Sequence, residues 1–395
     1  MIDLTSYLDA LSSPLVLVLL GVFGFALLVQ LFYYLFFYTG IIARRRKEKK
    51  NRIEIQVEQQ PVSIIICARN EEDNLRNFLP LVLQQEYPEY EVIVVNDGST
   101  DDTMIILEEF QKTFPHLRFT SIERRPTSIK YPLSPKKMAI TMGVKAASYE
   151  QLLFIDADCR PASPHWLQLM VRNFTPSTEF ILGYGGYFKE KGFLSRLVSY
   201  DTLMIAIQSL GMAYRGIPYM GVGRNMAYRK STFFRLKGFA GHLHVISGDD
   251  DLIVNKAGTS ENTRIEVNEH AKTNSNPSTS FKEWFAQKRR HLTASSLYTG
   301  KSKFWLGLEP FTRLLYYVAI ILAVFTFNPV VWVVAGVGIL LRFLTQVIII
   351  NRCASILGER KFFFLIPLFD ILLPLFSCYL MTLDKSFHPS KKNNW

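Results

Sequence analysis

The chain has 395 residues, of which 49% are hydrophobic and 13% aromatic, and its mean hydropathy is positive. This is too apolar for an ordinary soluble enzyme and places part of the chain in a membrane. Forty-five Lys and Arg against 34 Asp and Glu give a formal charge of +11, which suits anionic lipid, a phosphate-bearing substrate or nucleic acid as partner. Cys67, Cys159, Cys353 and Cys378 form no C-x-x-C pair and no His/Cys cluster, so neither a disulfide framework nor structural zinc is indicated and the soluble part belongs in a reducing compartment.

No Asp, Glu, Lys or Arg occurs from Ala10 to Ala43, and Leu15 to Tyr38 exceeds the ~20 apolar residues that cross a bilayer. A cleaved signal peptide is disfavoured, because Asp3 and Asp9 replace the expected positive charge and the apolar run is too long. The cluster Arg44-Arg45-Arg46-Lys47-Glu48-Lys49-Lys50 follows directly, and the positive-inside rule sets it in the cytoplasm.

From Gln60 the pattern changes. The β-rich runs Val62 to Ile66, Glu91 to Val95 and Gln151 to Ile155 alternate with the helical stretches Glu72 to Gln85, Asp101 to Thr113 and Pro135 to Ala147. Such βαβ order predicts an α/β domain on a mainly parallel sheet, with ligands at the carboxyl ends of the strands. Acidic groups stand there: Ala68-Arg69-Asn70-Glu71, Asn96-Asp97-Gly98-Ser99-Thr100-Asp101-Asp102 and Asp156-Ala157-Asp158. Helix capping accounts for Thr100 or Asp101, but not for Asp97 at a strand end, where a carboxylate suits a nucleobase or ribose. Asp156 and Asp158 repel one another unless a cation bridges them, and a hard divalent ion holding a diphosphate meets that need. Further on, Asp249-Asp250-Asp251 opens a helix; the helix dipole explains one of these acids, and another is a candidate general base.

The remaining stretches bear on the membrane. Phe281 to Trp305 mixes Trp284, Phe285 and Trp305 with many cations, as suits a helix in the headgroup layer, with a simple core helix as the alternative. Apolar segments follow at Phe311 to Phe327, Val330 to Ile350 and Phe362 to Leu383, the last two separated by the basic linker Asn351 to Lys361. Two of them are expected to form a hairpin. Three crossings would put Lys385, Lys391 and Lys392 outside, and Pro367, Asp370 and Pro374 make the last segment re-entrant or interfacial.

Taken in order, Val62-Ser63-Ile64-Ile65-Ile66 to Asn70-Glu71, Val94-Val95-Asn96-Asp97-Gly98-Ser99-Thr100-Asp101, Asp156-Ala157-Asp158, and Gly238-Phe239 leading to Gly248-Asp249-Asp250-Asp251 resemble glycosyltransferase family 2. The resemblance implies a GT-A fold and inverting transfer of a sugar from a nucleotide donor, usually a uridine diphosphate sugar. Carried over by motif, the donor side comprises Ala68, Asn70, Glu71, Asp97, Ser99, Lys136, Asp156, Gln287 and Arg290, and Asp156 with Asp158 would hold Mg or Mn. Lys136 or Lys137 resembles the family's nucleotide-side lysine, with a solvated helix face as the alternative. For the base, anchoring on Asp251-Leu252 selects Asp249, whereas matching an acidic pair selects Asp250. Gln287-Lys288-Arg289-Arg290-His291 resembles the membrane members' Q-x-x-R-W, with His291 in place of Trp, which leaves chain elongation open. Asn225 and His291 stand on the implied acceptor side.

The expected organisation is a transmembrane helix at 1–43, a basic linker at 44–59, a cytoplasmic GT-A domain at 60–280, an interfacial segment at 281–310, two or three membrane segments at 311–384 and a basic tail at 385–395. The expected protein is an integral enzyme of the bacterial inner membrane, serving polysaccharide or glycolipid synthesis in the cell envelope. Its partners are a nucleotide-sugar donor, a glycan or lipid-linked acceptor and membrane lipid, without nucleic acid, since the basic residues sit at membrane boundaries with no recognition motif. The competing readings are a nucleotidyl or sugar-phosphate transferase and a non-catalytic membrane scaffold that binds nucleotide sugar.

Overall fold

The computed structural model describes residues 13–56, 58–123, 134–243, 245 and 247–385, the side chains of 291–293, 378 and 381–385 excepted. Asp3, Asp9, Lys391 and Lys392 therefore lie outside the described residues, as do the side chains of His291 and Lys385. The chain is helical through α1 (Pro14–Phe32), a π-helical turn (Tyr33–Tyr38) and α2 (Gly40–Lys49). Alternating elements follow: β1 (Val62–Ala68), α3 (Glu72–Leu83), β2 (Tyr90–Asn96), α4 (Thr103–Thr113), β3 (Leu117–Ser121), α5 (Pro135–Ala146) and β4 (Gln151–Phe154). Then come β5 (Cys159–Pro161), α6 (Trp166–Val171), β6 (Phe180–Leu182), β7 (Gly185–Tyr187), α7 (Phe193–Tyr214), β8 (Met226–Arg229) and α8 (Lys230–Arg235). Next are α9 (Asp251–Ala257), β9 (Thr263–Ile265) and β10 (Thr273–Ser275), before α10 (Phe281–Ser295), α11 (Gly300–Val324), α12 (Pro329–Ile356) and α13 (Leu365–Lys385).

The main sheet has the order β3-β2-β1-β4-β8-β6-β9. Strands β1, β2, β3 and β4 pair in parallel, as βαβ crossovers require, while β8 runs antiparallel to β4 and β6. Strands β1 and β2 are almost wholly buried because helices cover both faces of the sheet. Alternate residues divide between the faces: Ile65, Ile93, Val95, Leu152 and Phe154 join one core with α5, and Ile64, Ile66, Val92, Val94 and Leu153 join another with α3, α4 and α6. A second sheet, β5-β10-β7, lies beyond β4. The sequence reading did not anticipate it, nor β3, in which only Leu117 is buried.

Helix α7 connects the two parts of the molecule. Fourteen of its 22 residues are buried, and an all-round apolar helix is stable only when surrounded. It shares one core with Tyr33, Tyr34, Phe37, Tyr38 and Ile41 on one side and with the sheet on the other. The approach is close enough to require glycine: a Cβ on Gly40 would lie 2.8 Å from the Gly211 carbonyl oxygen, and one on Gly211 would run into the carbonyl of Phe37. Arg44 reaches across to donate to the Ile265 carbonyl (3.0 Å) and the Asn173 amide oxygen (2.6 Å).

Among the described residues, three helices are long and apolar enough to cross a membrane: Pro14–Lys49, Gly300–Val324 and Pro329–Ile356. The last two form a hairpin whose return is started by Asn328, which accepts from the Val330 N–H at 2.9 Å ahead of Pro329 at the first helical position. The structure corrects the expected boundary at 310/311, because Gly300 to Val324 is one helix with Pro310 inside it. Pro367, Asp370 and Pro374 do not break α13 either. Pro367 falls in the first turn, where its missing N–H costs nothing, and Asp370 is buried against Arg342 at 2.7 Å and Arg313 at 3.5 Å. The apolar part of α13, Leu365–Ser377, is shorter than the three long helices.

Replacing Gly211 by Val should separate α7 from the π-helical turn at a cost of about 1–3 kcal/mol, the usual penalty of overpacking. Thermal unfolding of the full chain in detergent would show this as a lowered midpoint, while an unchanged midpoint would mean that the contact carries no weight.

Candidate functional site

The loops after β1 and β2 hold one another. Asn70, at φ 54°, accepts from the Thr100 N–H (2.8 Å), and its own N–H donates to the Ser99 hydroxyl (2.9 Å). Asp101 and Glu72 exchange bonds with each other's helix starts. Asn70 and Ser99 are thus used in fixing the two loops, with Ala68 buried below them. Asp97 is buried at the end of β2, its N–H donating to the Ala68 carbonyl at 2.9 Å. Glu71 turns toward the next acidic group. Burial first, then Asp158 and Asp156, push its carboxyl up to about 7, against the 2.6 Å bond from the Asn74 amide.

Asp156 and Asp158 leave β4 on either side of the buried Ala157. Burial works against the Asp156 carboxylate, but Lys136 at 3.0 Å holds it below the usual range, helped by Arg224 and Arg290. Asp158 goes the other way, raised by burial and then by Asp156. Ligand atoms of Asp156, Asp158 and Cys159 lie within 4.8 Å of one another. Burial raises the Cys159 thiol well above its ordinary value, with Asp158 adding to the effect, and the thiol donates to Asp158 at 3.2 Å. The usable donors are therefore carboxylate oxygens, a set that fits a hard cation such as Mg or Mn better than zinc.

The acidic triplet sits across the same pocket, which Lys136, Asp156, Gly223, Asp249 and Asp250 line above an apolar floor that includes Phe154 and Tyr228. Gly248, at φ +80°, makes the turn; a Cβ there would lie 2.9 Å from Leu252 and 3.1 Å from Ala294. The three carboxylates then separate. Asp249 faces Lys136 at 3.5 Å. Asp250 caps α9, accepting from the N–H groups of Asp251 (2.9 Å) and Gly223 (2.8 Å), and burial with Asp249 alongside pushes it up to about 6. Asp251 is buried, raised chiefly by that burial, and accepts from the Tyr298 hydroxyl at 2.9 Å.

Neighbouring lysines have different tasks. Lys136 joins Asp156 to Asp249, whereas Lys137 is fully buried and donates to the carbonyls of His242, Val245 and Ser247 at 2.8 to 2.9 Å. This corrects the solvated-face alternative for Lys137. Asn225 is also corrected. Its side chain is fully buried, donating to the carbonyls of Tyr184 and Ala271 and accepting from the Trp166 indole, so it presents nothing to an acceptor. The residue that sequence reasoning missed is Arg224 beside it. Its guanidinium lies 4.5 Å over the Tyr187 ring, donates to the Gly185 carbonyl, and bears on both Asp156 and Asp158. The available signal was a cation directly before Asn225 in the same Gly-rich turn.

Gln287 donates to the Tyr187 hydroxyl at 3.0 Å, which sets it next to Arg224, and Arg290 acts on Asp156 through its charge. Helix α10 reaches α13 through Trp284, which is buried against Phe376 at 5.8 Å.

Two family models match the chain, one described as glycosyl transferase family 2 over residues 63–235 and one as glycosyl transferase family group 2 over residues 152–350. The chain is 32% identical over 143 residues to a poly-beta-1,6-N-acetyl-D-glucosamine synthase of Staphylococcus epidermidis, covering 35% of this chain and 32% of that protein. It is 26% identical over 220 residues to the probable glycosyltransferase YdaM of Bacillus subtilis, covering 53% and 51%. The matches thus span about a third and about half of those relatives. Among solved structures, the mannosyltransferase PcManGT from Pyrobaculum calidifontis, in complex with GDP-Man and Mn2+, has a TM-score of 0.50 at 16% identity over 85% of this chain and 99% of that one. At that identity the likeness is one of fold.

Lys137→Met should leave three carbonyls without their donor and loosen the segment before Asp249. Loss of about 1–3 kcal/mol is expected, read as a lower unfolding midpoint, and a midpoint equal to wild type would refute the bracing role.

Proposed function

The chain belongs to glycosyltransferase family 2, and from that membership we propose that it is a membrane-bound inverting transferase. It moves a sugar from a nucleoside diphosphate donor, a uridine diphosphate sugar by family resemblance, to a hydroxyl of a glycan or lipid-linked acceptor. The observation that carries this reading is Lys136, whose ammonium lies 3.0 Å from Asp156 and 3.5 Å from Asp249. It draws the strand-end carboxylates and the helix-start triplet to one pocket, as a displacement at a single carbon requires.

In this reading Asp249 is the general base that takes the proton of the attacking hydroxyl. Asp250 is the weaker candidate, since both its oxygens already accept backbone N–H groups. Attack opposite the leaving diphosphate inverts the anomeric carbon, so an α-linked donor gives a β-linked product. Asp156 and Asp158 would hold the divalent cation, which when bound supplies Lewis-acid stabilisation of charge on the leaving group. Arg224, Arg290 and Lys136 add positive charge on the same side. Asp97 and Glu71 stand at the strand ends where the nucleoside would lie, and Gln287 adjoins the diphosphate side through Tyr187. The apolar helices hold the site at the cytoplasmic face of the bacterial inner membrane.

Detergent-solubilised full chain, given a panel of uridine, guanosine and thymidine diphosphate sugars with Mn or Mg and native membrane lipids as acceptor, should release nucleoside diphosphate. EDTA should stop the release, and Asp249→Asn should lower kcat by about 10²–10⁴ with donor KM little changed. Full turnover in Asp249→Asn, or retained stereochemistry, would defeat the assignment of the base. The pH dependence follows from Asp250. Because burial and Asp249 push its carboxyl up to about 6, it is protonated below that pH and ionised above. Accordingly kcat/KM should rise with pH through about 6, and a rate independent of pH from 5 to 7 would contradict it.

A further inference from the structure

In the 22 residues of α7 the only acid is Asp201, and it is buried. A carboxylate withdrawn from water is costly unless it is paired. Its partner is Lys288 of α10, whose ammonium lies 2.6 Å from Asp201 Oδ1 and 5.4 Å from the centre of the Trp284 ring. Lys288 stands inside the Gln287 to Arg290 motif, at one of the two positions that the motif leaves open.

Helical geometry gives this pair a task. Successive residues of α10 turn by about 100°, so Gln287, Arg290 and Ala294 share one side of the helix, while Lys288 lies about 160° round from Arg290. The first side meets the pocket. Gln287 donates to the Tyr187 hydroxyl at 3.0 Å, and Ala294 is buried where a Cβ on Gly248 would lie 3.1 Å from it, beside Asp249. Trp284 and Lys288, four residues apart, form the other side, with Trp284 on Phe376 of α13 and Lys288 on α7. Ring packing fixes no single rotation of a helix, whereas a short ion pair does. A buried ion pair serves register more than stability, since apolar side chains of similar size would hold the helices together without direction. We propose that Asp201 and Lys288 are positioning residues. By pinning one side of α10 to α7 they set its rotation, which keeps Gln287 and Arg290 toward the donor diphosphate and Ala294 against the turn that carries Asp249. The donor's part in this rests on the transferase reading.

The decisive variant is Asp201→Leu with Lys288→Leu in the full chain. It removes both charges and strands neither, so its unfolding midpoint in detergent should stay near wild type. Hydrogen exchange of the ligand-free protein, read by mass spectrometry over residues 281–295, should nonetheless quicken about tenfold, as the loss of one charge-assisted hydrogen bond predicts. Affinity for uridine or guanosine diphosphate with Mn, measured by calorimetry, should fall about tenfold at that unchanged midpoint. Lys288→Met alone, which leaves the Asp201 carboxylate buried and unpaired, should lower the midpoint as well. If the double variant does not fold, Asp201→Asn, which keeps the shape and removes the charge, should move exchange and affinity in the same direction. Exchange at the wild-type rate would overturn the pinning of α10. Quickened exchange with wild-type nucleotide affinity would overturn the positioning role. A wild-type chain that binds neither nucleotide would overturn the transferase reading and with it the donor's part, whereas exchange, which needs no ligand, still decides whether the pair fixes α10.

Discussion

Helix α7 buries 14 of its 22 residues, and the rest of the architecture depends on that burial. A helix apolar all round must be enclosed, and here one side is enclosed by the π-helical turn and α2, the other by the sheet. The Gly40 and Gly211 contact brings backbone against backbone, which leaves little room for sliding. Arg172, bonded to Glu48 at 2.5 Å and Glu266 at 2.9 Å, closes the same junction with charge. Soluble domain and apolar helices are therefore one packed body, and the carboxyl ends of the strands are held at a set orientation to the membrane segments.

The parts legible in the sequence were those with a strong period or a strong composition. The apolar runs of β1, β2 and β4, each followed by acids, were enough to infer the parallel sheet and its ligand edge. Strands β5, β7 and β10 were not legible, because three residues do not establish an alternation. Helix α7 was missed for a related reason: its apolar residues show no stripe. At the site, residue types were legible but facing was not. Arg224 and Asn225 are neighbours in a tight turn, and one looks toward the acids while the other points into the core. Lys136 and Lys137 divide in the same way on α5. For the triplet, sequence could say that three acids open a helix, but only the placement of Gly223 and Tyr298 separates a cap and a buried carboxyl from the acid facing Lys136.

The electrostatics of the pocket show why so many cations surround it. Glu71, Asp156, Asp158, Asp249 and Asp250 converge on a small volume, and burial alone would protonate several of them. Lys136, Arg224 and Arg290 hold Asp156 ionised, while Asp158 and Glu71 remain raised. The result is a site with carboxyl groups still short of positive charge, ready to gain from a cation and from a ligand that brings one.

Helix α9, which carries the triplet, is bonded to the start of α11. Tyr298 reaches Asp251, the Thr299 N–H donates to the Asn255 side chain at 2.8 Å, and the Asn255 amide donates to the Ser302 hydroxyl at 3.1 Å. With three bonds between them, α9 and the start of α11 are held as one unit. The acids that open α9 are thereby moored to the first turn of a helix long and apolar enough to cross a membrane.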